Sequence, residues 1–381
     1  MDQQLVERLT CLRRDLHRIP EVDFDLPETL AYVRGVLEPL AARMAARGCR
    51  VEVFSPARSA VCAFFDRGTP TATAIRSDMD ALPVTERTGR PFASTHAGKM
   101  HACGHDGHMA MVLALAEQLE QRFDDLDESV LLVFQPAEET TGGARLIAES
   151  GVFERLHVRR IFGFHLWPDL DKGVVASRPG ALLAASNETT VTFAGKASHI
   201  AKAEQGCDSL EASCRFLTRA YDYIERRRVE EPCLLKFGRM QSGEVRNQIS
   251  ARTVLEGSLR TFSLQMRDSC QADLQVIAHR CAGETGCTTE VAYSAGYPPV
   301  VNDVEVFAQA QQALPYLQAI PEPLLISEDF SWYQQHLPGV FLLLGTGTGI
   351  PLHADTFDFD EAILERGVET YLRLLGLHCG H

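Results

Sequence analysis

The segment MHACGHDGHMA, residues 100–110, gathers Cys103, His105 and His108 within a few positions. Thiolates and imidazoles are the ligands that zinc and similar transition metals take in proteins. The segment runs from a loop into an apolar-rich helix, and a helix N-terminus favours a thiolate through its dipole and its N–H groups. We therefore interpret the segment as part of a metal site. The alternative is that Cys103 is only a small buried apolar residue.

Further carboxylates and histidines stand beyond the carboxyl ends of predicted strands in TATAIRSDMDALP, SVLLVFQPAEETTGGA, RIFGFHLWP and VFLLLGTGTGIPLHADTF. These residues are Asp78, Asp80, Glu138, Glu139, His165 and His353. Ligands of open α/β sheets bind beyond that edge, so the pattern predicts one shared site. Each residue alone has an ordinary structural explanation, such as a loop cap or a buried histidine. Together they would cluster like charges and imidazoles, and a cation would offset that cost.

The elements around these residues predict an α/β fold. Continuous apolar runs alternate with helical patterns near both ends of the chain, which is typical of a mostly parallel sheet covered on both faces. The middle of the chain alternates polar and apolar residues from about Asn187 and contains four short strands and two helices. We expect a discontinuous catalytic domain, 1–184 and 297–381, and an inserted α+β domain, 185–296.

Composition excludes several classes of protein. A length of 381 residues favours two domains, and a net charge of −14 disfavours nucleic-acid binding. The apolar runs are too short to span a bilayer, and MDQQLVERLT lacks the basic and apolar regions of a signal peptide. The eleven cysteines form no CxxC pair, which indicates free thiols. We expect a cytoplasmic protein with no membrane partner.

Several segments resemble the aminoacylase and carboxypeptidase-type metallopeptidases, peptidase family M20. The segments are LHRIPEVDF, RSDMDALPV, MHACGHDGHMAM, FQPAEETTGGA, GFHLWP, SEDFSWY and PLHADTFDFDE. They are most similar to the branch of hippurate hydrolases, auxin-conjugate hydrolases and N-acetyldiaminopimelate deacetylases. The resemblance implies a zinc-peptidase-like catalytic domain and an inserted ferredoxin-like domain that serves as lid and dimerisation domain. It also implies two divalent transition-metal ions (zinc, manganese, cobalt or nickel) and a homodimer or higher homo-oligomer.

The resemblance also assigns roles in the catalytic domain. The implied metal ligands are Cys103 (bridging the two ions), His105, Glu139, His165 and His353. Glu138 would be the general base, which takes a proton from water and gives it to the leaving amine. We interpret Asp80 as a residue that orients a ligand histidine or the metals. Wider relatives have histidine in place of Asp78 and aspartate in place of Cys103, so this branch rearranges the ligand set.

In the inserted domain, GKASHIAKAEQGCDSLEA resembles the lid segment whose histidine contacts the substrate carbonyl, often from a partner subunit. His199 holds that place, although Ala203 and Glu204 replace the usual Pro-His. GEVRNQISA resembles the segment whose asparagine lines the substrate site, which implies that place for Asn247, although Ser250 replaces the usual proline. Arg260 in GSLRTF matches a lid arginine that grips a substrate carboxylate; its structural alternative is a surface charge at a strand end.

We therefore expect a metal-dependent amidohydrolase that cleaves N-acyl-L-amino acids, small molecules, to a carboxylate and a free amino acid. Within the same class, an N-acetyldiaminopimelate deacetylase or a small dipeptidase is the alternative. A catalytically silent binding protein is a further alternative, against which the complete ligand set argues. A thiol redox protein built on Cys103 ranks last, because no resolving cysteine lies nearby in the sequence.

Overall fold

The structure, a computed structural model, describes residues 3–377. The chain forms two compact units. The first unit comprises Met1–Gly180, Val301–Glu322 and Asp329–His381, and the second comprises Ala181–Val300 and Pro323–Glu328. No helix within residues 3–377 is long and apolar enough to cross a membrane.

The described chain alternates helices and strands throughout. The helices are α1 (Gln3–His17), α2 (Pro27–Ala46), α3 (His105–Gln121), α4 (Gly143–Ala148), α5 (Val152–Arg155), α6 (Ser209–Arg227), α7 (Leu264–Thr285), α8 (Val304–Ala313) and α9 (Ile363–Leu374). Short 3₁₀ helices span Phe123–Asp125, Ile200–Gln205 and Asp329–Gln335. The strands are β1 (Arg50–Phe54), β2 (Val61–Asp66), β3 (Ala72–Asp78), β4 (Ser129–Gln135), β5 (Val158–Trp167), β6 (Val175–Ser177), β7 (Gly180–Leu183), β8 (Ala185–Ala194), β9 (Cys233–Ser242), β10 (Arg252–Thr261), β11 (Thr288–Tyr293), β12 (Val300–Asn302), β13 (Gln318–Ala319) and β14 (Gly339–Gly345).

The first unit is built on an eight-stranded sheet in the order β1-β2-β4-β3-β5-β14-β6-β13. The central strands β4, β3, β5 and β14 are parallel to one another, and antiparallel pairs flank them. Every residue of β3, β4 and β14 is buried, as expected of parallel strands covered on both faces. The predicted mixed α/β fold with a mostly parallel sheet is confirmed.

Helix α3 is the central helix of the first unit. All of its residues from His105 to Ala116 are buried, because α1 and α9 both pack against it and the stretch from Met109 to Ala116 is apolar on every side. It joins a core that also contains Leu9, Leu12 and Leu16 of α1. These leucines are the stripe from which the sequence predicts the first helix.

The second unit contains the order of elements β8-α6-β9-β10-α7-β11. Its antiparallel sheet has the strand order β11-β8-β10-β9, the ferredoxin-like arrangement. Burial alternates along β8, and α6 buries Ala212, Phe216, Ala220 and Ile224 at helical spacing. The predicted α+β character is present.

The second unit differs in extent from the predicted inserted domain, 185–296. Residues 323–328 belong to the second unit, whereas the sequence predicts them to be part of the catalytic domain. Leu324 is the reason: its N–H donates to Leu182 O at 2.8 Å, and its carbonyl oxygen accepts from Ala184 N–H at 3.1 Å. The expected role of this unit as lid and dimerisation domain stays a prediction.

A buried ion cluster fastens α1 to α3. Asp106 accepts from Arg13 Nε at 2.8 Å and from His17 Nδ1 at 2.7 Å, and Glu86 lies 3.3 Å from His17 Nε2. Burial alone would lower the pKa of His17, but Asp106 and Glu86 raise it to about 9 despite the nearby Arg13. The imidazole is therefore protonated at neutral pH and completes a network of buried charges.

This raised pKa predicts a pH dependence of stability. The charged His17 contributes its full stabilisation below its unfolded pKa of about 6.5 and loses it as the pH rises through about 9. In His17→Gln, that component, at most about 3 kcal/mol, is absent. Between pH 6.5 and 9 the melting temperature should fall more steeply for the wild type than for the variant. Parallel melting curves across this range would contradict the assignment.

Candidate metal centre

The polar residues of the first unit meet at the carboxyl edge of the central strands. Asp78 ends β3, and Glu138 and Glu139 follow the end of β4. The prediction that His165 follows its strand is wrong, because His165 lies inside β5. Strand β5 continues to Trp167 because it pairs in parallel with β14 along that length. His353 lies in the loop beyond β14.

Cys103 reaches the same edge from the turn before α3. Gly104 caps the helix with a φ of 86°, in the left-handed region that glycine favours. A Cβ atom on Gly104 would lie 2.8 Å from Leu166 Cδ1. The positive φ and this close approach to Leu166 of β5 together favour glycine at this position, and the turn places Cys103 beside His165. Of the three candidate ligand residues in this segment, Cys103 lies in the loop before the helix, whereas His105 and His108 belong to α3 itself.

The structure brings all five predicted metal ligands together. Cys103 Sγ lies 3.3 Å from His165 Nε2 and 3.4 Å from His353 Nε2. Glu139 Oε1 lies 3.3 Å from His353 Nε2 and 3.8 Å from His105 Nε2. Cys103 belongs to two overlapping groups of potential ligands, one with His105 and His165 and one with Glu139 and His353.

One of these ligand atoms, His105 Nε2, is buried without a hydrogen-bond partner among the described residues, and buried Glu139 Oε1 has only its ion-pair contacts with His353 and His105. A buried polar atom left without a partner is costly, so such atoms mark a place that another group fills. Imidazole, thiolate and carboxylate donors within a few ångströms match the ligand set of zinc and related divalent metals. The residues present therefore fit metal ions.

A second layer of contacts fixes the direction of these donors. His105 Nδ1 donates to the carbonyl oxygen of Asp80 at 2.8 Å, and His165 Nδ1 donates to that of Leu166 at 2.7 Å. Each bond holds the other ring nitrogen, Nε2, toward the cluster. The Asp80 carboxylate accepts from the backbone N–H groups of Glu138 and Glu139 at 2.9 and 3.0 Å. Asp80 thus contacts both His105 and the Glu138–Glu139 backbone.

His108 and Asp78 are engaged elsewhere. His108 Nδ1 donates to Asp78 at 2.6 Å, and its Nε2 accepts from the N–H of Leu166 at 2.9 Å. Both ring nitrogens are used, so His108 packs α3 against β3 and β5. Arg76 pairs with the other oxygen of Asp78 at 2.7 Å. The interpretation of His108 as part of the metal cluster is not supported by these contacts.

The protonation of the cluster departs from the sequence-based expectation at Cys103. Burial and the carboxylates of Glu139 and Glu138 raise the pKa of the Cys103 thiol, so the helix terminus alone does not produce a thiolate. Burial and neighbouring His108 lower the pKa of His165 to about 3. Burial would also lower the pKa of His105, but Asp78, Asp80 and Glu139 raise it to about 10. Asp78, Asp80 and Glu139 thus favour a positive charge within the cluster.

Comparison of the sequence with known proteins identifies the family of this chain. Residues 74–376 match the sequence model of peptidase family M20/M25/M40. The chain is 33% identical to an N-acetyldiaminopimelate deacetylase of Streptococcus uberis, over 94% of this chain and 96% of that relative.

The chain belongs to peptidase family M20.

Other M20-type relatives are deacetylases and metal-binding peptidases. The chain is 31% identical to an N-acetyl-L-cysteine deacetylase of Bacillus subtilis, over 94% of this chain and 85% of the relative. A crystal structure of the Bacillus subtilis YXEP protein, a dinuclear metal-binding M20 peptidase, superposes with a TM-score of 0.85 at 31% identity, covering 98% of both chains. This M20 chain is therefore a hydrolase with the fold of a dinuclear metal-binding peptidase.

The remaining predicted residues lie in the second unit. His199 is exposed, and its Nδ1 accepts from Ala201 N–H at 3.2 Å, which leaves Nε2 to carry the proton. Asn247 is exposed on the segment paired with that of His199, and its backbone carbonyl oxygen accepts from the backbone N–H of Ile200 at 3.0 Å. Arg260 lies on β10 and donates to Ser327 Oγ at 2.9 Å. The structure thus brings His199 and Asn247 close together.

Sequence reasoning gave no role to several charged residues in this M20 chain. Asp106 lies within the motif of ligands, yet its partners Arg13 and His17 come from α1. Arg76 and Asp329 are fully buried and pair with each other at 2.9 Å. A charged residue inside an otherwise apolar strand, as Arg76 in TATAIRS, is the signal that could have identified this pair.

The turn that carries Glu138 and Glu139 gives a testable prediction. A Cβ atom on Gly143 would lie 2.0 Å from the carbonyl oxygen of Pro136, which is backbone and cannot rotate away. Gly143→Ala should lower the free energy of unfolding by about 1–3 kcal/mol and weaken zinc binding, because the turn must shift. Denaturant unfolding and zinc titration would measure both effects.

Gly35→Ala in α2 is the matched control, since its Cβ atom would meet nothing within 4 Å. That variant should be neutral or gain about 0.5–1 kcal/mol, with zinc binding unchanged. Equal behaviour of the two variants would show that the turn tolerates a side chain at Gly143.

Proposed function

We propose that this chain is a metal-dependent amidohydrolase that cleaves N-acyl-L-amino acids into a carboxylate and a free amino acid. The observation that carries the proposal is the cluster of thiol, imidazole and carboxylate donors, buried except at Glu139 and His353, with Glu138 beside it. Glu138 is 7% exposed, and its oxygen lies close to His105 and Glu139. The deacetylase names of the relatives support an amide bond as the target.

In this proposal two divalent metal ions bind at the cluster. Cys103 lies between two groups of donors and would bridge the ions, and the other ligands would be His105, Glu139, His165 and His353. The thiol favours zinc, while manganese, cobalt and nickel also suit imidazole and carboxylate donors. Bound ions would polarise the amide carbonyl and lower the pKa of water toward about 7.

Glu138 then performs the proton transfers. Its carboxylate takes a proton from the attacking water and delivers it to the nitrogen of the leaving amine, which breaks the amide bond as a neutral amine leaves. Asp80 holds the N–H groups of both Glu138 and Glu139. With the backbone held in this way, the two adjacent side chains can have different roles. Glu139 would bind metal, and Glu138 would face the attacking water.

The second unit would supply the substrate contacts. His199, with a proton on Nε2, would donate to the developing oxyanion from the same or a partner subunit, with the second unit acting as lid and dimerisation domain. Asn247 would line the site beside it, and Arg260 would bind the carboxylate of the amino acid. Every cysteine within residues 3–377 is free, which supports a cytoplasmic location.

A panel of substrates tests the function and separates the close candidates. The panel varies the acyl group (acetyl, benzoyl) and the amino acid (diaminopimelate, cysteine, glycine) and includes dipeptides. The relative from Streptococcus uberis favours N-acetyldiaminopimelate as a second candidate substrate. Hydrolysis of N-acyl amino acids but not of dipeptides would support the proposal. Metal-loaded protein that cleaves no member of the panel would contradict it.

Metal content is the first prediction of the proposal. Protein loaded with zinc or manganese should contain about two ions per chain, because five ligands exceed the needs of one four-coordinate site. Occupancy should fall on acidification, since protons compete for Cys103 and the histidines. Elemental analysis between pH 5 and 8 measures both effects. Absence of bound metal at neutral pH would exclude the proposed centre.

Substitution of the two glutamates should separate their tasks. Glu138→Gln should keep the metal and the fold but lower turnover by about 10²–10⁴-fold, because glutamine accepts no proton from water. Glu139→Gln should instead weaken metal binding. Steady-state kinetics at saturating metal, with metal content measured in parallel, distinguishes the two. Near wild-type turnover of metal-loaded Glu138→Gln would identify a different base.

Arg260 gives a prediction about substrate recognition. Arg260→Ala should weaken the hydrolysis of N-acyl amino acids by roughly 1.5–3 kcal/mol in kcat/KM, through loss of charge-assisted hydrogen bonds. The matching C-terminal amides, which carry no carboxylate, should change much less. Equal losses for acids and amides would leave Arg260 with the structural contact to Ser327 alone.

A further inference from the structure

The turn between β4 and α4 carries Glu138 and Glu139, and one buried carboxylate contacts both of its ends. Asp329 accepts from Gln135 Nε2, at the end of β4, at 2.9 and 2.8 Å. Its Oδ2 also accepts from the N–H of Ala144, in the first turn of α4, at 3.0 Å. Asp329 and Gln135 are 0% exposed. Asp329 therefore ties together the two points at which the turn leaves and re-enters regular structure.

Arg76 compensates the charge of this carboxylate. Its Nη2 lies 2.9 Å from Asp329, and its Nε donates to Gln135 Oε1 at 2.9 Å. Tyr333 Oη donates to the same Gln135 oxygen at 2.9 Å. Both polar atoms of the Gln135 side chain are thus engaged, so its rotamer is determined and the end of β4 has one orientation.

The turn needs such support because its backbone is strained. Ala137, directly before Glu138, has a φ of 57°, in the left-handed region that costs a non-glycine residue free energy. Strained conformations persist where the surroundings over-determine them. Asp80 holds the middle of the turn through the N–H groups of Glu138 and Glu139. Asp329 holds its ends.

We propose that Asp329, with Arg76 and Gln135, is a positioning residue for the reaction, which sets the turn so that Glu138 meets the water and Glu139 meets the metal. This inference rests on the roles proposed above for the two glutamates. The Asp329 carboxylate lies within 4.8 Å of the Glu138 carboxylate but is not a metal ligand in this scheme. It holds the turn through Gln135 and Ala144. Its loss should therefore change turnover and metal affinity more than substrate affinity.

Asp329→Asn tests the proposal with the smallest change of shape. The amide replaces one acceptor oxygen with a donor, which must face Arg76, Gln135 or Ala144, all of them donors. We expect kcat to fall by about 10²-fold, as for a misplacement of about 1 Å, with a smaller change in KM. Zinc affinity, measured by competition with a chelator, should fall by about 10-fold or more.

The matched control is Glu128→Gln, at the opposite end of the same strands. Glu128 accepts from Thr73 Oγ1 at 2.6 Å and pairs with Arg160 at 2.8 Å and Arg159 at 2.9 Å. It is also a buried carboxylate paired with arginine, yet it contacts nothing near the turn. This variant should lose thermal stability while kcat and zinc affinity stay at wild-type values.

A second variant, Gln135→Met, keeps the Arg76–Asp329 pair but removes the tie to the end of β4. It should reproduce the loss of kcat and zinc affinity, and it carries the test if Asp329→Asn does not fold. Wild-type kcat and zinc affinity in the folded variants, or equal losses in Glu128→Gln, would overturn the positioning role. Because chelator competition needs no substrate, it decides this question even if the wild-type protein binds zinc but hydrolyses no N-acyl amino acid. A wild-type protein that binds no zinc would overturn both proposals.

Discussion

Buried ionisable groups need compensation, and the first unit provides it in two ways. Some groups have partners from the chain itself: Asp106 has Arg13 and His17, and Asp78 has Arg76. Others, such as His105 Nε2, have no hydrogen-bond partner among the described residues. The first kind holds helices and strands in place. A cation binds most favourably to groups of the second kind, because folding has already removed these ligand atoms from water.

This difference separates residues that look equivalent in the sequence. In MHACGHDGHMA, Asp106 and His108 are potential metal ligands just as His105 and Cys103 are. Their partners are Arg13, Asp78 and the N–H of Leu166, which lie far away in the chain. Spacing within a motif cannot reveal partners that only the folded chain supplies. The motif therefore predicts the place of the centre, and tertiary contacts decide which members face it.

The elements were predictable where a period or a long apolar run marks them. The leucine stripe of α1, the apolar strands β3, β4 and β14 and the alternation in β8 all appear as expected. The continuation of β5 past His165 was not predictable, because it depends on pairing with β14, which lies far along the chain. The segment 323–328 was missed for a related reason: six residues are too few to show a period, and pairing with Leu182 and Ala184 assigns them.

That short segment has a consequence for dividing the protein into fragments. The chain passes between the units after residues 180, 300, 322 and 328, so the second unit is not one continuous insertion. A fragment of 181–300 would lack Leu324, leaving the N–H of Ala184 and the carbonyl oxygen of Leu182 without their backbone partner. A self-sufficient version of this unit would need 323–328 joined to it by a new linker. Transfer of this unit into another protein would likewise require both pieces, 181–300 and 323–328.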